Sequence, residues 1–209
     1  MTTFYIIRHG ETDYNRNGRY QGQMDIPLNE DGRRQSEMIA DRMATVALDA
    51  IYSSDLSRAQ VTARIIARGR EVALEPRLRE IHVGRVMGMS NAEIRQQFPE
   101  FWTATEQDPD HTPFPGGESA VDLQRRTMEA MAAIAARYPD GRVAVVTHGG
   151  VIKVIAASVM EMPLAIRPKI VLDNCSLTVV EWSDRGRRVR SLNDTGHLAQ
   201  APCDVRADF

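Results

Sequence analysis

Phe4-Tyr5-Ile6-Ile7 is an unbroken apolar run bounded by polar residues, and it delivers Arg8-His9-Gly10-Glu11-Thr12 at its carboxyl end. A run apolar at every position suits a strand covered on both faces. Val143-Ala144-Val145-Val146 repeats the pattern and ends in Thr147-His148-Gly149-Gly150. Ala50-Ile51-Tyr52 is a shorter run of the same kind, followed by Ser53-Ser54-Asp55-Leu56-Ser57-Arg58-Ala59. Helical spacing lies between and after these runs. Asn29 caps a helix through Ile39, Met43 and Val46 that ends near Leu48, and a second runs from Leu56 through Ile65 and Ile66 to a stop at Gly69. Ser119 caps a longer one through Leu123, Met131 and Ile134 to Tyr138, and the segment after His148 is apolar nearly all round to Met160. Leu177 to Val180 and a short run at Val189 predict late strands. Strands alternating with helices predict a three-layer α/β/α fold with a mainly parallel sheet. Ligands of such sheets bind at the carboxyl ends of the strands, so Arg8-His9 and His148, distant in sequence, are expected to converge.

Residues 1–198 are read as one catalytic domain and 199–209 as a flexible tail. A variable lid of about 84–117 is expected as an insertion after the second helix. Within it a short helix starts at Ser90 and stops before Pro99, and Phe98, Phe101, Trp102 and Phe114 are interleaved with acids and prolines. The formal net charge of −2 and the pI near 6.2 give no broad basic field, which argues against nucleic acid and anionic membrane as partners. The first residues carry no basic leader, and no apolar run is long enough to span a bilayer, so a cytoplasmic location is expected. With two cysteines, Cys175 in a strand-like segment and Cys203 in the tail, both are expected to be free thiols.

The chemistry is concentrated at the strand ends. Arginine grips an oxyanion with a planar fork, and glycine allows the backbone to approach closely. An arginine recurs after the second strand as Arg58, and a histidine after a third as His148. The chain here resembles the histidine phosphatase superfamily, which also contains the cofactor-dependent phosphoglycerate mutases. Besides the Arg8-His9-Gly10 start, the motifs are Gln21-Gly22, the segment from Ser53 to Ala63, Leu78-Arg79-Glu80, Pro115-Gly116-Gly117-Glu118-Ser119 and Thr147-His148-Gly149-Gly150. The resemblance implies that His9 attacks phosphorus while Arg8, Arg58 and His148 hold the phosphoryl oxygens and Asn15 adds a neutral donor. Gln21, Gly22 and Gly149 join the phosphate and substrate contacts. It implies that Glu80 gives a proton to the leaving group and later activates water. Fixed cationic donors suit a reaction that depends on positioning and charge stabilisation, so neither a metal nor a cofactor is expected. His148 is expected to be protonated beside a bound phosphate dianion. Amides of the helix after His148 are expected to face the phosphate.

Other residues read as structural. His82, His111 and His197 lack metal-ligand spacing, the methionines at 128, 131, 160 and 162 suit core filling, and the Arg185 to Arg190 cluster suits a solvated strand edge. Departures from the resemblance bear on substrate. Val86-Met87 stand where many phosphatase members carry tryptophan and glutamate, a pair expected near the rim; Ile81 and Val83 replace a mutase arginine and tyrosine, and the mutase lid's paired arginines are missing. The expected activity is hydrolysis of a small anionic phosphorylated metabolite, the expected assembly a homodimer. The rivals are a phosphoglycerate mutase and a non-catalytic phospho-ligand binder.

Overall fold

The computed structural model describes residues 1–199. The tail from residue 200 onward, with Cys203, lies outside the described residues. Six strands form one sheet: β1 (Thr2–Arg8), β2 (Ala50–Ser53), β3 (Ala73–Leu74), β4 (Arg142–Thr147), β5 (Leu177–Ser183) and β6 (Gly186–Asp194). Their order is β3-β2-β4-β1-β5-β6. The first four are mutually parallel where they pair, whereas β5 runs antiparallel to β1 and β6 antiparallel to β5. The helices are α1 (Asp13–Arg16), α2 (Glu30–Met43), α3 (Ser57–Ala67), α4 (Asn91–Gln97), α5 (Pro99–Gln107), α6 (Ala120–Arg137) and α7 (Gly149–Val159).

Successive strand residues point to opposite faces, which explains why the central residues of β1 and β4, Phe4 to Ile7 and Val143 to Val146, are apolar at every position. Phe4, Ile6, Val143 and Val145 pack with Leu123, Met131, Ile152 and Ile155 of α6 and α7. Ile7, Ile51, Ala144 and Val146 pack with Ile39, Met43, Ala63 and Ile66 of α2 and α3. The expected three layers are therefore present, with the mostly parallel sheet between two helix pairs.

The structure departs from the sequence reading in local places. α2 stops at Met43 with Ala44 as its cap, so Val46 and Leu48 lie beyond it and pack on the core from a turn. The left-handed cap of α3 is Arg68 (φ 49), with Gly69 following it. Cys175 lies ahead of β5, in a left-handed turn at φ 56. The segment 84–117, expected as a lid, holds two α-helices. α4 starts after Ser90, as expected, and Ser90 and Glu93 close a capping box on it. Pro99, read as a stop, instead opens α5, where its fixed φ and missing N–H suit a first helical position. Val83, Val86 and Ile94 form a small separate core with Phe98, Phe101, Trp102 and Phe114, whose rings at 101 and 114 lie 5.1 Å apart. Val86 is thus buried in this small core and Met87 exposed, so the pair does not border the cavity as expected. No helix among the described residues is long and apolar enough to cross a membrane.

Candidate active site

Strand register assembles the site. Arg8 pairs with Thr147 across β1 and β4, and Ser53 with Val146 across β2 and β4, so His9, His148 and Ser54 leave three adjacent strands at one level. The rings of His9 and His148 stand 5.1 Å apart at 60°. A cavity of about 480 Å³ opens over these ends, lined by Arg8, His9, Asn15, Gln21, Gly22, Arg58, Glu80 and Gly149 among others. Eight of the nine expected site residues thus line one cavity; the ninth, His148, is fully buried behind it, against His9.

His9 Nδ1 lies 2.7 Å from the Gly10 carbonyl. A carbonyl only accepts, so Nδ1 carries the hydrogen and Nε2 keeps its lone pair. Burial, then the charges of Arg58 and Arg8, hold the His9 pKa well below the usual histidine value, against an opposing pull from the Gly10 hydrogen bond. The imidazole is therefore neutral at physiological pH. Arg8 donates through Nη1 to the Leu172 carbonyl. Arg58, in the first turn of α3, donates from its two Nη atoms to the Gly22 and Met24 carbonyls, each at 2.7 Å. Its Nε is buried without a hydrogen-bond partner among the described residues. Burial pushes the Arg58 pKa down to about 10, against Glu80 and Asp25 which raise it, so the guanidinium stays charged at neutral pH. Gly22 serves this arginine directly. At φ +52 it approaches so closely that a Cβ would sit 2.6 Å from Val83 Cγ2 and 3.1 Å from the Ile81 carbonyl.

Asn15 sits in α1, where its Oδ1 accepts from the Thr12 amide, the Thr12 hydroxyl and Asn174 Nδ2. With the oxygen so engaged, the amide nitrogen is the end left for an incoming anion. Asn174 also donates to the His9 carbonyl at 2.9 Å, and nothing in its sequence surroundings marked it. Gln21 Oε1 is buried and has no partner among the described residues. His148 is fully buried, and burial followed by the charges of Arg58, His9, Arg126 and Arg8 holds its pKa well below the ordinary value. The protein's own groups thus act against the protonated form that the sequence reading favours.

Glu80 Oε1 accepts from the Ile81 amide at 2.8 Å and Oε2 from the Gly150 amide at 3.0 Å. The second bond revises the expectation for the helix N-terminus: the Gly150 amide meets Glu80, while Gly149 lines the cavity. Arg126 holds the loop that carries this acid. It donates to the carbonyls of Arg77, Arg79 and Glu80 at 2.7, 2.7 and 2.9 Å, and its Nε meets Glu118 Oε1 at 2.8 Å. Glu118 in turn accepts from the His82 amide. Lys153, Arg19, Tyr14, Tyr20, Ser90 and Asn91 also line the cavity, and the sequence carries no signal that places them in the site. His82, His111 and His197 lie apart from the site lining, and among the described residues no three His, Cys, Asp or Glu side chains are grouped to hold a metal ion.

The sheet order, the histidine pair and the buried arginine define one class of protein. The model of the histidine phosphatase superfamily (branch 1) matches residues 4–195, and this chain belongs to that family. It is 37% identical over 204 residues to a metal-independent phosphoserine phosphatase of Arabidopsis thaliana, covering 95% of this chain and 84% of that protein. A probable phosphoglycerate mutase GpmB of Cronobacter sakazakii is 34% identical, with 95% of each chain covered. A phosphoserine phosphatase of Entamoeba histolytica has been solved as a mutant with phosphoserine and also with 3-phosphoglyceric acid; each superposes with a TM-score of 0.87 at 29% identity, over 95% of this chain and 100% of the other.

Proposed function

We propose that this protein is a phosphomonoesterase of small phosphorylated metabolites, acting through a covalent phosphohistidine on His9. The observation that carries this reading is the state of His9: Nδ1 is tied to the Gly10 carbonyl, and burial among arginines keeps the ring neutral, so Nε2 meets the cavity as a lone pair. In the first step Nε2 bonds to phosphorus as the ester P–O bond breaks, and Glu80 passes its proton to the departing alkoxide. Arg8, Arg58, Asn15, His148 and the Gly149 amide stabilise the spread charge on the phosphoryl oxygens. In the second step the Glu80 carboxylate takes a proton from water, the new O–P bond forms, and the N–P bond breaks. Phosphate leaves and Glu80 is again protonated.

The phosphoserine phosphatases among the relatives support a phosphorylated hydroxy or amino acid as the kind of substrate. Similarity to a probable mutase favours a second reading, in which the phosphoryl group returns to the organic product. Ile81 and Val83 line the cavity beside Glu80, where a turning glycerate would need a donor for its carboxylate. Neither side chain can donate. Phosphorus NMR of the protein with phosphoserine, and with 3-phosphoglycerate plus catalytic bisphosphoglycerate, separates the readings. Release of inorganic phosphate is expected. Equilibration with 2-phosphoglycerate without phosphate release would establish the mutase, and binding without turnover of any ester would establish a binder.

A further inference from the structure

His148 precedes α7 in extended backbone (φ −126, ψ 164), and its Nε2 lies 2.8 Å from Ser54 Oγ. Both side chains are fully buried. The contact follows from register, since β2 and β4 pair side by side and the Ser54 amide donates to the Val146 carbonyl at 3.0 Å. Ser54 Oγ also accepts from the Leu56 amide at 3.4 Å, where the chain turns into α3. The hydroxyl has one hydrogen to give. Among the described residues its one acceptor is His148 Nε2; were Nε2 protonated instead, that buried hydrogen would have no partner. Donation from the hydroxyl to Nε2, with the ring hydrogen on Nδ1, leaves one buried group without a partner among the described residues, whereas the opposite tautomer leaves two, the hydroxyl hydrogen and the Nδ1 lone pair. Nδ1 is itself buried without a partner among the described residues, on a ring stacked edgewise against His9.

We propose that Ser54 is a positioning residue that fixes the tautomer of His148, so that a neutral imidazole donates Nδ1–H to a phosphoryl oxygen. The proposal rests on the phosphotransfer reading of this site. Its physical content is a sign: the opposite tautomer would turn a lone pair, rather than a donor, toward the oxygens that gain charge. Burial and the surrounding arginines oppose the alternative of charging the ring.

Nitrogen-15 NMR of the full protein, uniformly labelled and without ligand, reads the tautomer directly and needs no turnover. The expected His148 spectrum is that of a neutral ring with hydrogen on Nδ1 through pH 6–8, and vanadate should keep it there. A ring protonated at Nε2, or an imidazolium over that range, would overturn the proposal whether or not the protein hydrolyses esters. In Ser54→Ala the ring should shift toward the Nε2–H form, with kcat reduced roughly 10²–10³-fold, the usual cost of losing one oxyanion donor. Ser54→Thr, which keeps the hydroxyl, should restore both. An alanine variant that retains the Nδ1–H form, or that changes tautomer with kcat intact, would refute the role, whereas absence of phosphate release by wild type with the Nδ1–H form present would refute only the function proposed above.

Discussion

Gly150→Ala is the sharpest probe of how Glu80, the proposed proton donor, is held. A Cβ at position 150 would stand 2.3 Å from Glu80 Oε1 and 3.1 Å from its Cδ. Carbon and oxygen in ordinary contact stay nearly 3.5 Å apart, so the carboxylate has to retreat by about 1 Å. That movement breaks the 3.0 Å bond from the Gly150 amide to Oε2. Backbone strain is not at issue, because Gly150 is helical and absent from the positive-φ residues. Alanine in a helix gains about 0.5–1 kcal/mol over glycine, and the lost hydrogen bond costs about 0.5–1.5 kcal/mol, so the net change in stability stays within about 1 kcal/mol. A 1 Å misplacement of a reacting group costs roughly 100-fold in rate. Turnover of an alkyl monoester such as phosphoserine is therefore expected to fall about 100-fold. An aryl phosphate should suffer far less, because a phenolate leaves without needing a proton. Vanadate inhibition should be unchanged. Equal slowing of both esters, or weaker vanadate inhibition, would show that Gly150 serves the phosphate site and that the Glu80 contact is incidental.

His9→Ala is expected to abolish turnover while leaving the far-ultraviolet circular dichroism unchanged; activity near wild type would remove the covalent step. Arg126→Met should lower kcat on alkyl esters and destabilise the fold by about 1.5–3 kcal/mol in urea, because the carbonyls of Arg77, Arg79 and Glu80 lose a charged donor. Unchanged kcat would separate this arginine from the acid loop's function. The two buried histidines have depressed pKa values, so below about pH 6.5 the unfolded chain binds more protons than the native one and stability falls as acid is added. Each contributes at most about 1.4 kcal/mol per pH unit, and urea midpoints should drop between pH 7 and pH 5, less steeply in His148→Asn. A midpoint that is flat over this range would contradict the burial argument. EDTA should leave turnover unchanged; loss that a divalent ion restores would assign the charge stabilisation to a metal.

The parts of the fold legible in the sequence are those whose signal is local. Phe4 to Ile7 and Val143 to Val146 are apolar at every position because helices cover both faces, and that same arrangement sends His9 and His148 to one sheet end. Pro99 shows where local reading stops: one residue ends a helix or begins the next, and only the packing of Phe98, Phe101 and Trp102 against Val83, Val86 and Ile94 decides. Ser54, Asn174 and Arg126 carry no local signal for a related reason. Ser54 meets a residue 94 positions away and Asn174 one 165 away, through strand pairing and loop closure that no periodicity encodes. The length of the Glu80 side chain, and so its reach to Gly150, was present in the sequence, but the close approach of the acid loop to α7 was not.

The sheet's two margins bear on how copies of this chain meet. At one, β3 is two residues long, too short to template a further strand. At the other, β6 displays Arg187, Arg188 and Arg190, the first with its guanidinium 3.8 Å over the Trp182 ring and the others beside Glu181. Two such strands meeting antiparallel about a twofold axis would face arginine against arginine, and like charges directly opposite repel. Among the described residues both margins thus carry features that discourage growth of the sheet by strand addition.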